Sequence, residues 1–170
     1  MEFNNRVLKE LSDEEGVKTT VYTCTAGHLT IGIGHNLDTC PVDNIIGRHL
    51  RMGDSITHDE LVKIFNYDVA HMEDLLDKYL SWWRDLPTFS RYVILSLCFN
   101  MGIGGLVSTN PIKYNGLRGF PTTLRKLQAS DWNGAASGLE DSKWYTQVGI
   151  RGKKLCTILR TQKFPDGSEE

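Results

Sequence analysis

Three side chains near the amino terminus could carry chemistry together. Glu15 is followed after eight residues by Cys24, and Cys24 after five more by Thr30. A carboxyl that protonates a leaving oxygen, with a second group to handle water or a developing cation, is what glycosidic cleavage requires. A Glu at a helix end facing a strand can be desolvated, which raises its pKa and keeps it an acid. Each residue also has a plainer reading. For an arbitrary Glu, a solvated position before a helix-stop glycine is the commoner outcome. Most free cysteines are small buried hydrophobes, and Cys24 needs a pKa depressed by a nearby cation to act as thiolate. Thr30 suits a strand on propensity alone, and a positioned water on chemistry.

These residues need a helix, a turn and a strand to bring them together, and the sequence supplies all three. Phe3, Val7, Leu8 and Leu11 recur at helical spacing over 3–14, and Gly16 can stop that helix. Residues 17–35 are rich in Val, Thr, Ile and Tyr, with Gly27, Gly32 and Gly34 as punctuation. They predict a hairpin or small sheet turning near Ala26-Gly27. A short helix follows Pro41. Thr57-His58-Asp59-Glu60 is a capping-box pattern opening a long helix to about Leu80, with Val62, Phe65, Val69, Met72, Leu75 and Leu76 as its apolar stripe. Residues 89–101 are apolar on nearly every side and predict a buried central helix. Residues 102–119, broken by Gly102, Gly104 and Gly105, predict a long mobile loop. Further helices are expected at 121–129 behind Pro121, from Asp131 to about Leu139 despite Gly134 and Gly138, and near 150–162.

The expected fold is α+β: one domain over 1–170, with a β-rich lobe about 15–57, a linking helix about 58–80, and a helical lobe about 81–164 joined by helix 3–14. A cleft between the lobes is the expected place for an extended ligand.

Composition narrows the function classes. The formal net charge of −2 gives no support to nucleic-acid or anionic-membrane binding. The amino terminus has no apolar run of the signal-peptide kind, and no window approaches the roughly 18 apolar residues of a membrane span. Synthesis in a cytoplasm, no membrane insertion and a monomer are expected. The four cysteines, Cys24, Cys40, Cys98 and Cys156, share no CxxC spacing and read as free thiols.

The spacing of Glu15, Cys24 and Thr30, with Ile31-Gly32-Ile33-Gly34-His35 directly after, resembles the active-site signature of phage-type lysozymes (endolysins, glycoside hydrolase family 24). ITHDELVKIFNYDV resembles that family's inter-lobe helix, CFNMGIGG its central helix and following turn, and DSKWYTQVGIRGKKL its carboxy-terminal region. The resemblance covers about residues 7–164. It implies hydrolysis of the β-1,4 bond between N-acetylmuramic acid and N-acetylglucosamine in peptidoglycan, with no cofactor and no metal. It implies Glu15 as general acid, Cys24 at a position held by Asp or Cys, and Thr30 as the catalytic threonine. His35 then matches a histidine paired with Asp68, a structural salt bridge rather than a catalytic group. Arg151 matches an arginine that approaches the acid, and reads equally as an exposed helical Arg. Asn100 stands where members place Gln or Asn toward the cleft, or is a polar residue turned to solvent. Gly34 and Gly32 leave room for sugar or simply make a turn. Tyr145 and Gln147 line the cleft, whereas core packing suits Trp132 and Trp144 better than sugar stacking. Holin-dependent release from the host cytoplasm to the wall, causing host lysis, completes the implication.

Three departures bear on a direct transfer, one being that residues 103–119 look longer than the family's usual connection. A thiol is less acidic than the Asp it replaces, so a simple second-carboxylate mechanism does not carry over. The −2 charge weakens the steering toward anionic peptidoglycan that basic members have. Two other readings remain beside the enzyme. One is a non-catalytic peptidoglycan-binding or scaffold domain of the same fold. The other is a metal module using Cys24, His28, His35 and Cys40, whose spacings of three, six and four residues fit no usual finger or ribbon.

Overall fold

The computed structural model describes residues 3–168. The chain forms two compact units, one ending at His71 and the other beginning at Met72.

In the first unit, helix α1 (Phe3–Glu15) ends where predicted. Gly16 takes φ +74°, a left-handed conformation that disfavours residues with a Cβ, and its amide donates to the Ser12 carbonyl at 3.0 Å. Strands β1 (Lys18–Thr23), β2 (Leu29–Gly32) and β3 (His35–Asn36) form an antiparallel sheet in the order β1-β2-β3. The register pairs Thr23 with Leu29 and Tyr22 with Thr30 on one side, and Thr30 with Asn36 and Ile31 with His35 on the other. Gly32 and Gly34, at φ +67° and +82°, make the tight β2–β3 turn. Val21, Ile31, Ile33, Leu37, Val42, Leu50 and Ile56 are buried.

Helix α2 (Asp43–Ile46) is short, and α3 (His58–Tyr79) is long. The predicted capping box closes in both directions: the Glu60 amide donates to the Thr57 hydroxyl at 3.2 Å, and the Thr57 amide to the Glu60 carboxylate at 2.8 Å. Arg48 grips the same carboxylate through Nε and Nη2 at 2.8 and 3.0 Å. Those bonds, then the Thr57 amide, hold Glu60 down to about 2. The apolar stripe differs in detail from the expected one. Leu61, Ile64, Phe65, Val69 and Leu76 are its buried members, and Val62, Met72 and Leu75 lie half-buried at its margins.

The second unit contains α4 (Thr88–Met101), α5 (Pro121–Gln128), α6 (Trp132–Glu140), α7 (Lys143–Val148) and α8 (Ile150–Thr161). Helix α4 is buried from Tyr92 to Cys98 and packs on α8, which also meets α6 and α7. The two glycines of α6 have separate reasons. At Gly134 a Cβ would press on the Asp131 carboxylate, whose Oδ1 caps the helix by accepting from the Gly134 amide at 2.8 Å. At Gly138 a Cβ would come within 2.7 Å of the Thr123 hydroxyl, so this glycine lets α6 lie close against α5.

Residues 102–119 correct the sequence reading. Instead of a mobile loop they form an antiparallel hairpin, β4 (Leu106–Thr109) and β5 (Ile112–Tyr114), followed by a 3₁₀ turn at Leu117–Gly119. The glycines that suggested mobility close its neck. A Cβ on Gly104 would collide with the Asn115 carbonyl, and the Leu117 amide donates to the Gly102 carbonyl at 2.9 Å. The Arg118 guanidinium lies over the rings of Tyr79 and Tyr114, 4.6 and 4.1 Å from their centroids.

His35 ties the β2–β3 turn to α3. It is buried, its Nδ1 is 2.8 Å from the Asp68 carboxylate, and its Nε2 meets the Cys40 carbonyl at 2.7 Å. Burial pushes the imidazole down, but the Asp68 hydrogen bond and charge, with the Cys40 carbonyl, leave it raised above the ordinary 6.5. A raised histidine contributes stability that is complete below the unfolded value and fades as pH climbs through the folded one. Asp68→Asn is therefore expected to lose about 2 kcal/mol near pH 6, less than outright removal of a buried partner because Asn keeps an acceptor. The loss should shrink at alkaline pH. Urea unfolding of both proteins across that range checks it, and a loss independent of pH would contradict the charged pair.

Candidate active site

Glu15 is the last residue of α1, and the chain turns at Gly16 into the exposed start of β1. Glu15 is exposed.

Cys24 follows β1 directly and begins the turn that leads to β2. Its amide donates to the His28 carbonyl at 2.9 Å, and the Gly27 amide donates to the Cys24 carbonyl at 2.9 Å. Gly27 holds φ +87° at the predicted turn. This closed loop directs hydrogen-bond donors at the half-exposed sulfur. The amide of His28, then that of Ala26, then the Thr30 hydroxyl pull the thiol below its ordinary value of 9.0; slight burial opposes them, and the Gly27 amide adds to them. The depression that the sequence reading required is present, and its cause is dipoles rather than a cation.

Thr30 is buried in the middle of β2, across from Tyr22 on one strand and Asn36 on the other. Its hydroxyl donates to the His28 carbonyl at 3.0 Å. A hydroxyl has one proton to give. Donation to the carbonyl and donation to the Cys24 sulfur are therefore alternatives, and ionising the thiol favours the second. The structure thus brings Cys24 and Thr30 together around His28.

Gly34 is exposed, and a Cβ there would meet nothing within 4 Å. Its φ of +82° is a conformation that favours glycine.

The other predicted residues lie in the second unit. Asn100 is exposed near the end of α4, and its Oδ1 accepts from the Trp144 indole N–H at 2.8 Å. That bond reaches 44 positions along the chain, so Asn100 is not simply a polar side chain in water. Trp144 is buried, edge-on to Phe120 at 6.3 Å, and Trp132 meets Phe89 edge-on at 5.3 Å. Both fit the packing role. Tyr145 and Gln147 are on α7, Tyr145 half-buried and Gln147 exposed. The Tyr145 ring lies on α8, where a Cβ at Gly152 would come within 2.7 Å of it. Arg151 is half-buried rather than exposed, and donates to the Ser96 carbonyl and hydroxyl, both at 3.2 Å.

The proposed metal set does not assemble. His35 is held by Asp68 and the Cys40 carbonyl, and His28 by Asp38. Among the described residues no three His, Cys, Asp or Glu side chains gather as metal ligands.

A comparison with protein families matches residues 12–163 to the phage lysozyme family. The chain belongs to that family. A phage lysozyme of this kind has a lysozyme-type, glycoside-hydrolase function, and the family implies a peptidoglycan substrate. Individual relatives agree in part. The chain is 27% identical over 91% of its length to an endolysin of Acyrthosiphon pisum secondary endosymbiont phage 1, covering 86% of that protein. It is 22% identical to probable T4-type lysozyme 1 of Dictyostelium discoideum, covering 89% of this chain and 91% of the relative. It is also 27% identical over 93% of its length to the pre-baseplate central spike protein Gp5 of Enterobacteria phage T4, but spans only 28% of that much longer protein.

Two residues of this phage lysozyme escaped the sequence reading. The sequence alone points to no role for Asp38 and offers His28 only as a metal ligand. The signal was available in the β2–β3 register. The pairing of Thr30 with Asn36, continued outward through the Leu37 amide to the Leu29 carbonyl at 2.8 Å, sets His28 beside Asp38.

The surroundings of Cys24, Cys98 and Cys156 order these three thiols by reactivity. Burial pushes Cys98 up to about 12 and Cys156 to about 11, whereas Cys24 is lowered and half-exposed. Iodoacetamide at pH 7.5, followed by peptide mass spectrometry, is expected to label Cys24 well before Cys98 and Cys156. Thr30→Val should slow Cys24 labelling by removing one donor. Equal labelling of Cys24 and Cys98 in the folded protein would contradict the site as described.

Proposed function

We propose that this protein is an endolysin that hydrolyses the β-1,4 bond between N-acetylmuramic acid and N-acetylglucosamine and so lyses its host. Glu15 gives its proton to the leaving glycosidic oxygen. A water held by Thr30 and Cys24 attacks the anomeric carbon, and its proton passes to a base. The observation that carries this reading is the turn from Cys24 to Thr30, where amide dipoles and a hydroxyl favour an anionic sulfur at the position a second carboxylate would hold. A thiolate so stabilised can accept the proton of water or face the developing positive charge. The family resemblance assigns Gly34, Asn100, Tyr145 and Gln147 to glycan contact, and His35, Asp68 and Arg151 to supporting roles. In the endolysin reading the protein waits in the host cytoplasm as a monomer and reaches the wall through a holin.

A second reading has one observation behind it. The likeness to a spike protein of which this chain spans 28% suits a peptidoglycan-binding or structural part in an assembly. Binding to purified sacculi with no release of reducing ends would favour that reading.

Turbidity loss of outer-membrane-permeabilised cells tests the enzyme. Glu15→Gln is expected to cut the rate by about 10²-fold or more, the usual worth of a general acid. Cys24→Ser should fall strongly and Cys24→Asp should retain part of the activity. Mass spectrometry of the released muropeptides identifies the bond. Lysis by Glu15→Gln equal to that of the wild type would overturn the assignment of the acid.

A further inference from the structure

Asp38 makes two contacts through one oxygen. Its Oδ2 accepts from the Leu29 amide at 3.1 Å and lies 3.2 Å from Nδ1 of His28. The carboxylate is itself held in place. Asn36 Oδ1 accepts from the amides of Asp38 and Thr39 at 2.9 and 3.2 Å, fixing the backbone after β3. Between these two segments lies His28, whose carbonyl takes the Cys24 amide and the Thr30 hydroxyl and whose own amide faces the Cys24 sulfur.

We propose that Asp38 is a positioning residue for the reaction: by clamping the His28 ring and the Leu29 amide, it holds the His28 amide and the Thr30 hydroxyl in place against the Cys24 sulfur. This rests on the reading that Cys24 and Thr30 handle the water.

Stability does not explain the clamp. The two side chains are 50% and 43% exposed, and an exposed pair of this kind stabilises a fold little. Its consequence is geometric. The turn is exposed from Thr25 to His28, and the Leu29 amide and the His28 ring are the points where the segment after β3 reaches it through a side chain. The groups acting on the sulfur are amides and one hydroxyl, with no carboxylate and no cation among those of the described residues. Asp38 therefore works by placing donors and not by its own charge. An amide at the same position keeps the acceptor for Leu29 and His28, whereas alanine keeps neither.

The pH profile of Cys24 alkylation separates this from a merely structural role. The folded protein is treated with iodoacetamide between about pH 6 and 10, spanning the ordinary thiol range, and the Cys24 peptide is quantified. Asp38→Ala is expected to move the midpoint upward, slowing alkylation at pH 7 about threefold or more because only the thiolate reacts. Asp38→Asn should restore the wild-type midpoint. His28→Ala, which leaves the Leu29 bond, should give a smaller shift in the same direction. Thermal melts should move little in any of the three. In the turbidity assay Asp38→Ala should lower kcat more than it raises KM. An unmoved midpoint in both Asp38→Ala and His28→Ala would overturn the proposal, whatever the lytic activity. A shifted midpoint in a protein that cleaves no peptidoglycan would leave the clamp standing and remove the enzymatic reading.

Discussion

Strand β2 is four residues long and has a neighbour on each side. Because side chains alternate along a strand, a slip of one residue would send the Thr30 side chain to the opposite face and exchange it with Ile31. The present register puts Ile31 in the core, His35 opposite it on β3, and Thr30 on β2 just past the turn that begins with Cys24. It also sets the clamp between Asp38 and His28. One pairing therefore fixes the hydrophobic face, the buried histidine and the reactive turn together. The register is held in turn by the Gly32 and Gly34 conformations, which make the β2–β3 connection short, and by the fully buried Ile31.

His35 links that sheet to the long helix. A buried imidazole between a carboxylate and a carbonyl uses both ring nitrogens, so its orientation is determined and its protonated form is favoured. Removing the Asp68 acceptor leaves one buried ring nitrogen without a partner, which costs more than the bond itself contributes. The histidine that closes the glycine-rich run is thus a fastening between β3 and α3.

Much of this was legible in the sequence because local chemistry decided it. Thr57 with Glu60, Asp131, Pro121 and Gly16 each mark a helix end by satisfying or terminating backbone groups nearby, and the helices end there. Residues 102–119 failed the same reading for a physical reason. Glycine signals freedom when it stands alone, but Gly104 and Gly116 are glycines because backbone passes too close for a Cβ, which no local pattern shows. Val107, Thr109, Ile112 and Tyr114 around an Asn-Pro tip carried the strand signal that the glycines obscured. In the candidate site, the chain order of Glu15, Cys24 and Thr30 was readable. The Asn100 to Trp144 bond was not, because it joins distant positions.

The turn at Cys24 surrounds its sulfur with hydrogen-bond donors. A carboxylate is ionised at neutral pH with no assistance, so a site using Asp needs only to place it. A thiol near its ordinary value is mostly protonated there, and becomes an effective anion only where donors surround it. Cys24 sits where a tight turn aims several amides at one atom, and its strongest donor, the His28 amide, belongs to the residue that Asp38 holds. In the proposed reading, Cys24 in place of an Asp shifts the burden from the side chain's intrinsic acidity to the shape of the backbone around it. A backbone given that task must be kept from flexing, and an exposed carboxylate bonded to the next amide is an economical means of doing so.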